Sequence, residues 1–359
     1  MKGIKKKQRV NLVIIAFLCI IFPTMTGMAK EETAVLEADF SYQLQFPDNQ
    51  LDQELGYYHL KMAPNEKQEI SIVVTNHREE PLEIELSLNG AKTNENGVVE
   101  YGETDIKNDA SLRIDFTELV TGPTEIKLAK NETKKIVLTI NMPKDSFDGQ
   151  IAGGIQLKKR DVDDQTKEPG IQVRNKYVYL IPMVLQETDT KLTPQLKLNA
   201  ITLDLVKGPP AIYTNISNTQ AMYMNDVKIN VAISEKGKSD VLYRKEQENI
   251  KMAPNSFIAM PIPLENRRIE PGRYIAKIQV QSKQGDVEWE KEFDISNNEA
   301  KEYEKIQKIL AKGQRSNVMS LGILFLLLLL LITIGLFFSK QRKHQHKKGR
   351  KIKKKVGMK

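Results

Sequence analysis

The chain has little of what most enzymes and metal sites are built from. It holds one cysteine, Cys19, and four histidines in 359 residues. Two of the histidines lie in the C-terminal tail, which leaves His59 and His77 for the rest. A single thiol excludes a disulfide framework within the chain. Two scattered imidazoles, with no cysteine or carboxylate pattern beside them, exclude a zinc-type ligand set. Asp161 and Asp163 begin like a calcium loop, but the sixth position is not glycine and the twelfth is not glutamate. Acidic residues are spread along alternating segments, so no pair stands out as general acid and nucleophile. His59, in "GYYHLKM", reads as a strand residue. No catalytic residue, metal or cofactor is expected, and the chain reads as a non-enzyme.

The two ends are informative. The N-terminus, "MKGIKKKQRV NLVIIAFLCI IFPTMTGMAK", has five Lys/Arg, then an apolar run, then Gly27-Met28-Ala29. This is the pattern of a secretory signal, with cleavage expected after Ala29. Cys19 sits inside the apolar run behind Ala16-Phe17-Leu18, which excludes a lipidated cysteine. Residues 316–339 carry no charge, and as a helix they reach about 36 Å, enough for a hydrocarbon core of about 30 Å. The last 20 residues hold eleven Lys/Arg and no acid. Positive charge stays cytoplasmic, so a single-pass membrane protein is expected, with residues 30–315 outside. The basic tail has no aromatics and adjoins the apolar run, so its expected partner is anionic lipid, not nucleic acid. No Leu-Pro-x-Thr-Gly precedes the run, and the anchor reads as permanent. With both ends set aside, 38 Lys/Arg face 46 acids, a formal balance of −8. The exported part therefore has no polybasic surface for nucleic acid.

That part is patterned with period two. Leu82, Ile84, Leu86 and Leu88 alternate with polar residues, as do Ile136, Leu138, Ile140 and Met142. The same holds for Val227, Ile229, Val231 and Ile233, and for Tyr274, Ala276, Ile278 and Val280. Such alternation makes strands with one buried and one wet face. With Asn, Gly and Pro between runs, the spacing predicts an all-β chain of two tandem immunoglobulin-like sandwiches. The pentapeptide "KMAPN" occurs at 61–65 and at 251–255, with a shared Asn-x-Arg-x-Glu-Pro further on (76–81 and 266–271). A looser copy pairs 126–131 with 250–255 and 149–157 with 272–280. These read as one β-unit used three times; common descent and convergence on turn residues both account for the pentapeptide. The expected organisation is a signal at 1–29, a first sandwich at 30–188 and a second at 189–297. A stalk helix follows at 298–315, with Tyr303, Ile306 and Leu310 on one face, then the membrane helix at 316–339 and the tail at 340–359.

Few residues suggest a binding surface. Tyr57 and Tyr58 follow Gly56 and are candidates for stacking on a sugar ring, or else are alternating core and rim residues. Gly153-Gly154 interrupt a strand, which requires either a bulge or a close approach of something to the backbone. Gly149, in the same run, joins the candidate set. Unpaired sheet edges are a further candidate. Asn131 and Asn215 fit the glycosylation pattern, which chance explains.

With this architecture in place, the chain resembles the WxL-interacting proteins of low-GC Gram-positive bacteria. The resemblance rests on "ADFSYQLQFPDNQ" with "LGYYHLKMAPNEKQEISIVVTN", on "LAKNETKKIVLTINMPKDSFDGQIAGGIQL", on "PQLKL" opening a second domain, and on the anchor with its basic tail. The run Phe147–Ile155 is its most specific piece. The resemblance implies a first domain that binds peptidoglycan and a second that binds host extracellular proteins. It implies that the whole holds WxL-type surface proteins at the wall, and it places the domain boundary earlier, near 168. The alternative is a membrane-anchored chaperone that adds strands to surface subunits. A wall hydrolase is a third possibility, which the missing acid–base set disfavours.

Overall fold

In a computed structural model, the structure describes residues 38–160, 178–205, 210–264, 267–283 and 285–309, with 325–326, 329–330 and 332–333 in the C-terminal apolar run. The expected signal, the Asp161–Asp163 loop, Leu310 and the basic tail lie outside the described residues, as does most of the apolar run. Among the described residues, no helix is long and apolar enough to cross a membrane. From Phe40 on, the described residues group as one unit.

Among the described residues, two large sheets form the body of the first half. One joins β1 (Phe40–Gln45), β3 (Lys67–Asn76), β9 (Thr133–Asn141) and β7 (Val120–Thr121), in that order. The other runs β2 (Tyr58–Lys61), β11 (Val178–Gln186), β10 (Gln150–Lys159), β4 (Leu82–Gly90), β8 (Glu125–Leu128). All pairings are antiparallel except β2 with β11. The alternation sets the packing. Leu82, Ile84 and Leu86 of β4 and Ile136, Leu138 and Ile140 of β9 meet in one buried core with residues from both sheets. Each such side chain contributes roughly 1.5–3 kcal/mol. The intervening Glu83 and Glu85 face outward, where Arg160 lies 3.4 and 3.3 Å from them.

The second half has a three-stranded sheet, β12 (Leu196–Asp204), β13 (Ala211–Asn218), β16 (Ser256–Pro263), and a four-stranded one. The latter runs β15 (Val241–Met252), β14 (Met224–Glu235), β17 (Gly272–Gln281), β18 (Val287–Ile295). Its own core includes Val227, Ile229, Val231, Ile233, Ile278 and Val280. A helix at 297–309 follows. Ser296 and Glu299 cap it reciprocally: the Ser296 N–H donates to the Glu299 carboxylate at 2.7 Å, and the Glu299 N–H to the Ser296 hydroxyl at 3.2 Å. Tyr303 is buried against the second core and donates its hydroxyl to the Arg267 carbonyl at 3.0 Å.

The strand orders reveal the true repeat. β1-β3-β9 corresponds to β12-β13-β16, and β11-β10-β4-β8 to β18-β17-β14-β15. The looser sequence match is the one that agrees with this. Asn131 lies between β8 and β9, Asn255 between β15 and β16, and β10 corresponds to β17. The KMAPN match joins places that do not correspond, because Asn65 follows β2, which has no counterpart among the described residues of the second half. What the three sites share is a left-handed asparagine, with φ of 59° at Asn65, 55° at Asn131 and 46° at Asn255. Asparagine tolerates that conformation better than other side chains do. The Asn-x-Arg-x-Glu-Pro match fails too: 76–81 joins β3 to β4, whereas 267–271 joins β16 to β17.

A buried asparagine ties each repeat together. The Asn76 amide donates to the Glu80 and Ala129 carbonyls, both at 2.8 Å, and the Asn218 amide to the Met222 and Ala253 carbonyls at 2.7 and 3.0 Å. Replacing either with alanine leaves two carbonyls unpaired. Asn76→Ala and Asn218→Ala are each expected to lower stability by about 1–3 kcal/mol in denaturant unfolding. Losses under about 0.5 kcal/mol would show that these amides do not hold the repeat.

Candidate functional site

Between β4 and α1 (Phe116–Leu119), the chain makes an excursion that carries the hairpin β5 (Lys92–Thr93) and β6 (Val99–Glu100). The excursion docks on the second half. The Thr93 and Ser256 hydroxyls share a hydrogen bond of 2.6 Å, and the Ala253 N–H donates to Thr93 Oγ1 at 3.0 Å. The Lys251 N–H donates to the Gly97 carbonyl at 2.8 Å. The Ser217 hydroxyl donates to Asp109 Oδ2, and the Asn255 amide donates to the Ser111 carbonyl at 3.2 Å. Ala91, Val99 and Ala253 form a small buried patch against Tyr101, Ala152 and Tyr223. The two tyrosine hydroxyls are 3.1 Å apart, and the Lys251 ammonium lies 5.1 Å from the Tyr223 ring centre. The junction is thus made of small side chains and paired polar groups.

Gly149 and Gly153 serve this region. Gly149 has φ of 91°, and a Cβ there would lie 2.3 Å from the Ala221 carbonyl oxygen. The next N–H, of Gln150, donates to that same oxygen at 2.6 Å. A Cβ on Gly153 would fall 2.1 Å from the Phe116 ring, and one on Gly154 2.4 Å from the Tyr101 carbonyl oxygen. β10 keeps an unshifted register with both neighbours across the glycine pair. There is no bulge; what approaches the backbone is the chain itself. Tyr58 is fully buried, and its hydroxyl donates to the Ser71 carbonyl at 2.8 Å. Tyr57 is half-exposed and close enough to Tyr101 and Tyr223 to add to the rise in their pKa values, which burial chiefly causes. His59 is hydrogen-bonded to Gln186 at 2.8 Å and His77 to Ser41 at 2.7 Å. Among the described residues, no group of His, Cys, Asp and Glu could hold a metal.

Beside the junction lies a cleft of about 640 Å³, within the range of small-ligand sites. Lys92, Arg113, Asp115, Asp148 and Gln150 line it from the first half, and Gln220 and Asn255 from the second. Lys92 is buried and donates to Asn108 Oδ1. Desolvation lowers its pKa, against the opposing pull of Asp115. Burial alone would raise the Asp115 carboxyl, but the Thr117 N–H and hydroxyl, the Asn108 amide and the Lys92 charge together hold it below the usual range. Asp115 also caps α1. Asp148 is exposed and accepts from the Thr188 hydroxyl at 2.5 Å, which lowers its pKa. Arg113 is exposed and makes no hydrogen bond or ion pair among the described residues. Sequence reasoning missed Lys92 and Arg113, since neither belongs to a local pattern. Asn255 was visible only as a turn residue.

Residues 40–159 match the family model described as "WxL Interacting Protein, peptidoglycan binding domain". Residues 168–305 match that described as "WxL Interacting Protein, host binding domain". The chain belongs to the WxL-interacting protein family. Within the second matched span, β11 nonetheless pairs with β10 and β2 of the first half. Family membership by sequence and strand pairing therefore divide the chain at different places. No curated protein matches at a significant level. Among solved structures, similarity extends to the E. coli chaperone DraB (12% identity, 72% of this chain and 98% of that one, TM-score 0.28). It extends also to the YadV chaperone (11%, 71% and 100%, TM-score 0.29) and to a PapD-like domain of human CEP192 (13%, 47% and 99%, TM-score 0.27). Likenesses at this level imply neither a shared fold nor a shared function.

Proposed function

We propose that this member of the family is a non-catalytic surface protein, anchored in the cell membrane by residues 316–339, that holds other molecules at the cell wall. The first half, 30–188, binds peptidoglycan. The second, 189–297, binds WxL-type surface proteins or host proteins. Both are immunoglobulin-like sandwiches, with the basic tail on anionic lipid inside. The observation that carries the reading is the pair of binding-domain matches spanning 40–305; the signal-like and apolar ends support the topology. The mechanism is tethering. An anchored chain turns weak contacts into intramolecular ones and raises their effective concentration.

The test is co-sedimentation of the full chain, purified in detergent, with isolated peptidoglycan. The chain is expected in the pellet, with no muropeptide released. Protein left in the supernatant would remove the wall-binding half of the reading, and release of soluble fragments would remove its non-catalytic character.

A further inference from the structure

We propose that the cleft between the two halves receives a carboxylate-bearing stretch of wall polymer, the stem peptide of peptidoglycan, with Arg113 as its anion contact. This rests on the wall-binding reading and specifies where and through which chemical group the wall is held.

Lys92 and Asp115 neutralise each other, and the Asp115 oxygens are taken by Thr117 and Asn108. Asp148 is engaged by Thr188. Asn255 spends its amide on Ser111 and Thr219, and Gln220 donates to Gln195. Arg113 alone among these charged groups has no partner among the described residues. Its planar fork of N–H groups matches a carboxylate with two parallel hydrogen bonds.

The rest of the lining selects among anions and sugars. A polyphosphate chain needs several cations, and among the described residues of the lining one unpaired cation sits with two carboxylates. A neutral sugar needs an open aromatic face, but the two rings in the lining, Phe116 and Phe147, both pack on the first core. A short peptide with a carboxylate fits both the volume and the one free charge. The cleft is also preformed, since the Gln150–Ala221 and Asn255–Ser111 hydrogen bonds fix its two walls.

The experiment uses the full chain in detergent and a soluble disaccharide-pentapeptide as probe, with neutral chitotetraose as the sugar-only control. Arg113→Gln is expected to weaken the muropeptide by about tenfold or more, the scale of a charge-assisted contact. Asp148→Asn, which removes a negative charge from the rim, is expected to strengthen it. Opposite signs from two exposed positions are not what a folding defect produces. Peptidoglycan stripped of teichoic acid should sediment the chain as well as untreated wall does. Three results would overturn the proposal: muropeptide affinity unchanged in Arg113→Gln, chitotetraose competing as well as muropeptide, or sedimentation lost on removal of teichoic acid. In the first two of these the wild-type chain still pellets with isolated peptidoglycan, so the wider reading survives; sedimentation that is lost with the teichoic acid, or never seen, ends both.

Discussion

Tyr58→Ala is expected to cost about 3–5 kcal/mol, while Tyr57→Ala, one residue away, should cost no more than about 1 kcal/mol. Tyr57 lies in the bend just before β2, and Tyr58 is the first residue of the strand. Tyr58 has no exposed surface, meets the Phe46 ring edge-on at 5.6 Å and gives its hydroxyl to Ser71. Truncation leaves a ring-sized cavity and an unpaired carbonyl. Tyr57 is half-exposed. Denaturant unfolding of the two variants separates these cases, and similar costs would show that Tyr58 is not the core residue described. The burial has a consequence in alkali. Desolvation by burial pushes the Tyr58 pKa from 10.0 to about 12. The unfolded chain therefore ionises first. The contribution of Tyr58 to stability is fully present below pH 10 and is lost as pH rises towards about 12. Tyr58→Phe should flatten that part of the pH profile.

Gly153→Val is expected to lower stability by about 3 kcal/mol or more, at the upper end of overpacking costs. The new Cβ alone would stand 2.1 Å from the Phe116 ring and 2.6 Å from the Asn89 carbonyl oxygen. Phe116 is almost fully buried and has no open side to move into. Shortening the ring should relieve part of the strain, so Gly153→Val with Phe116→Ala should be less destabilised than the sum of the two single variants. Had Gly153 been kept for a ligand, Gly153→Val would fold normally and lose only binding. Thermal or denaturant unfolding of the variants therefore discriminates the two roles.

Strands with one wet face were the most legible part of this sequence. In β4 and β9 the alternate residues Leu82, Ile84, Leu86, Ile136, Leu138 and Ile140 are all buried, because a side-chain period of two leaves them no other face. Leu88 is only partly buried, near the end of β4 where the chain leaves for its excursion. The repeat was legible in outline and misleading in detail. Identical residues marked a shared turn conformation, while the weaker similarity marked equivalent strands. The excursion was opaque, because its contacts are single hydrogen bonds between residues more than a hundred positions apart. Thr93 with Ser256 and Asp109 with Ser217 leave no local signature. The glycines did announce that something comes close to β10, but sequence cannot say that it is Phe116 and Tyr101. Arg113 is conspicuous only for its lack of partners among the described residues, which a sequence cannot display.

The cleft depends on the two halves being held in one arrangement. Oxidative crosslinking of Thr93→Cys with Ser256→Cys, in a Cys19→Ser background, tests this most directly, since the native oxygens are 2.6 Å apart and a disulfide needs about 2.0 Å between sulfurs. Near-complete disulfide formation under mild oxidation is expected in the double variant, with free thiols in each single variant. Two thiols that both stay open to alkylation in the double variant would contradict a docked junction and the cleft built on it.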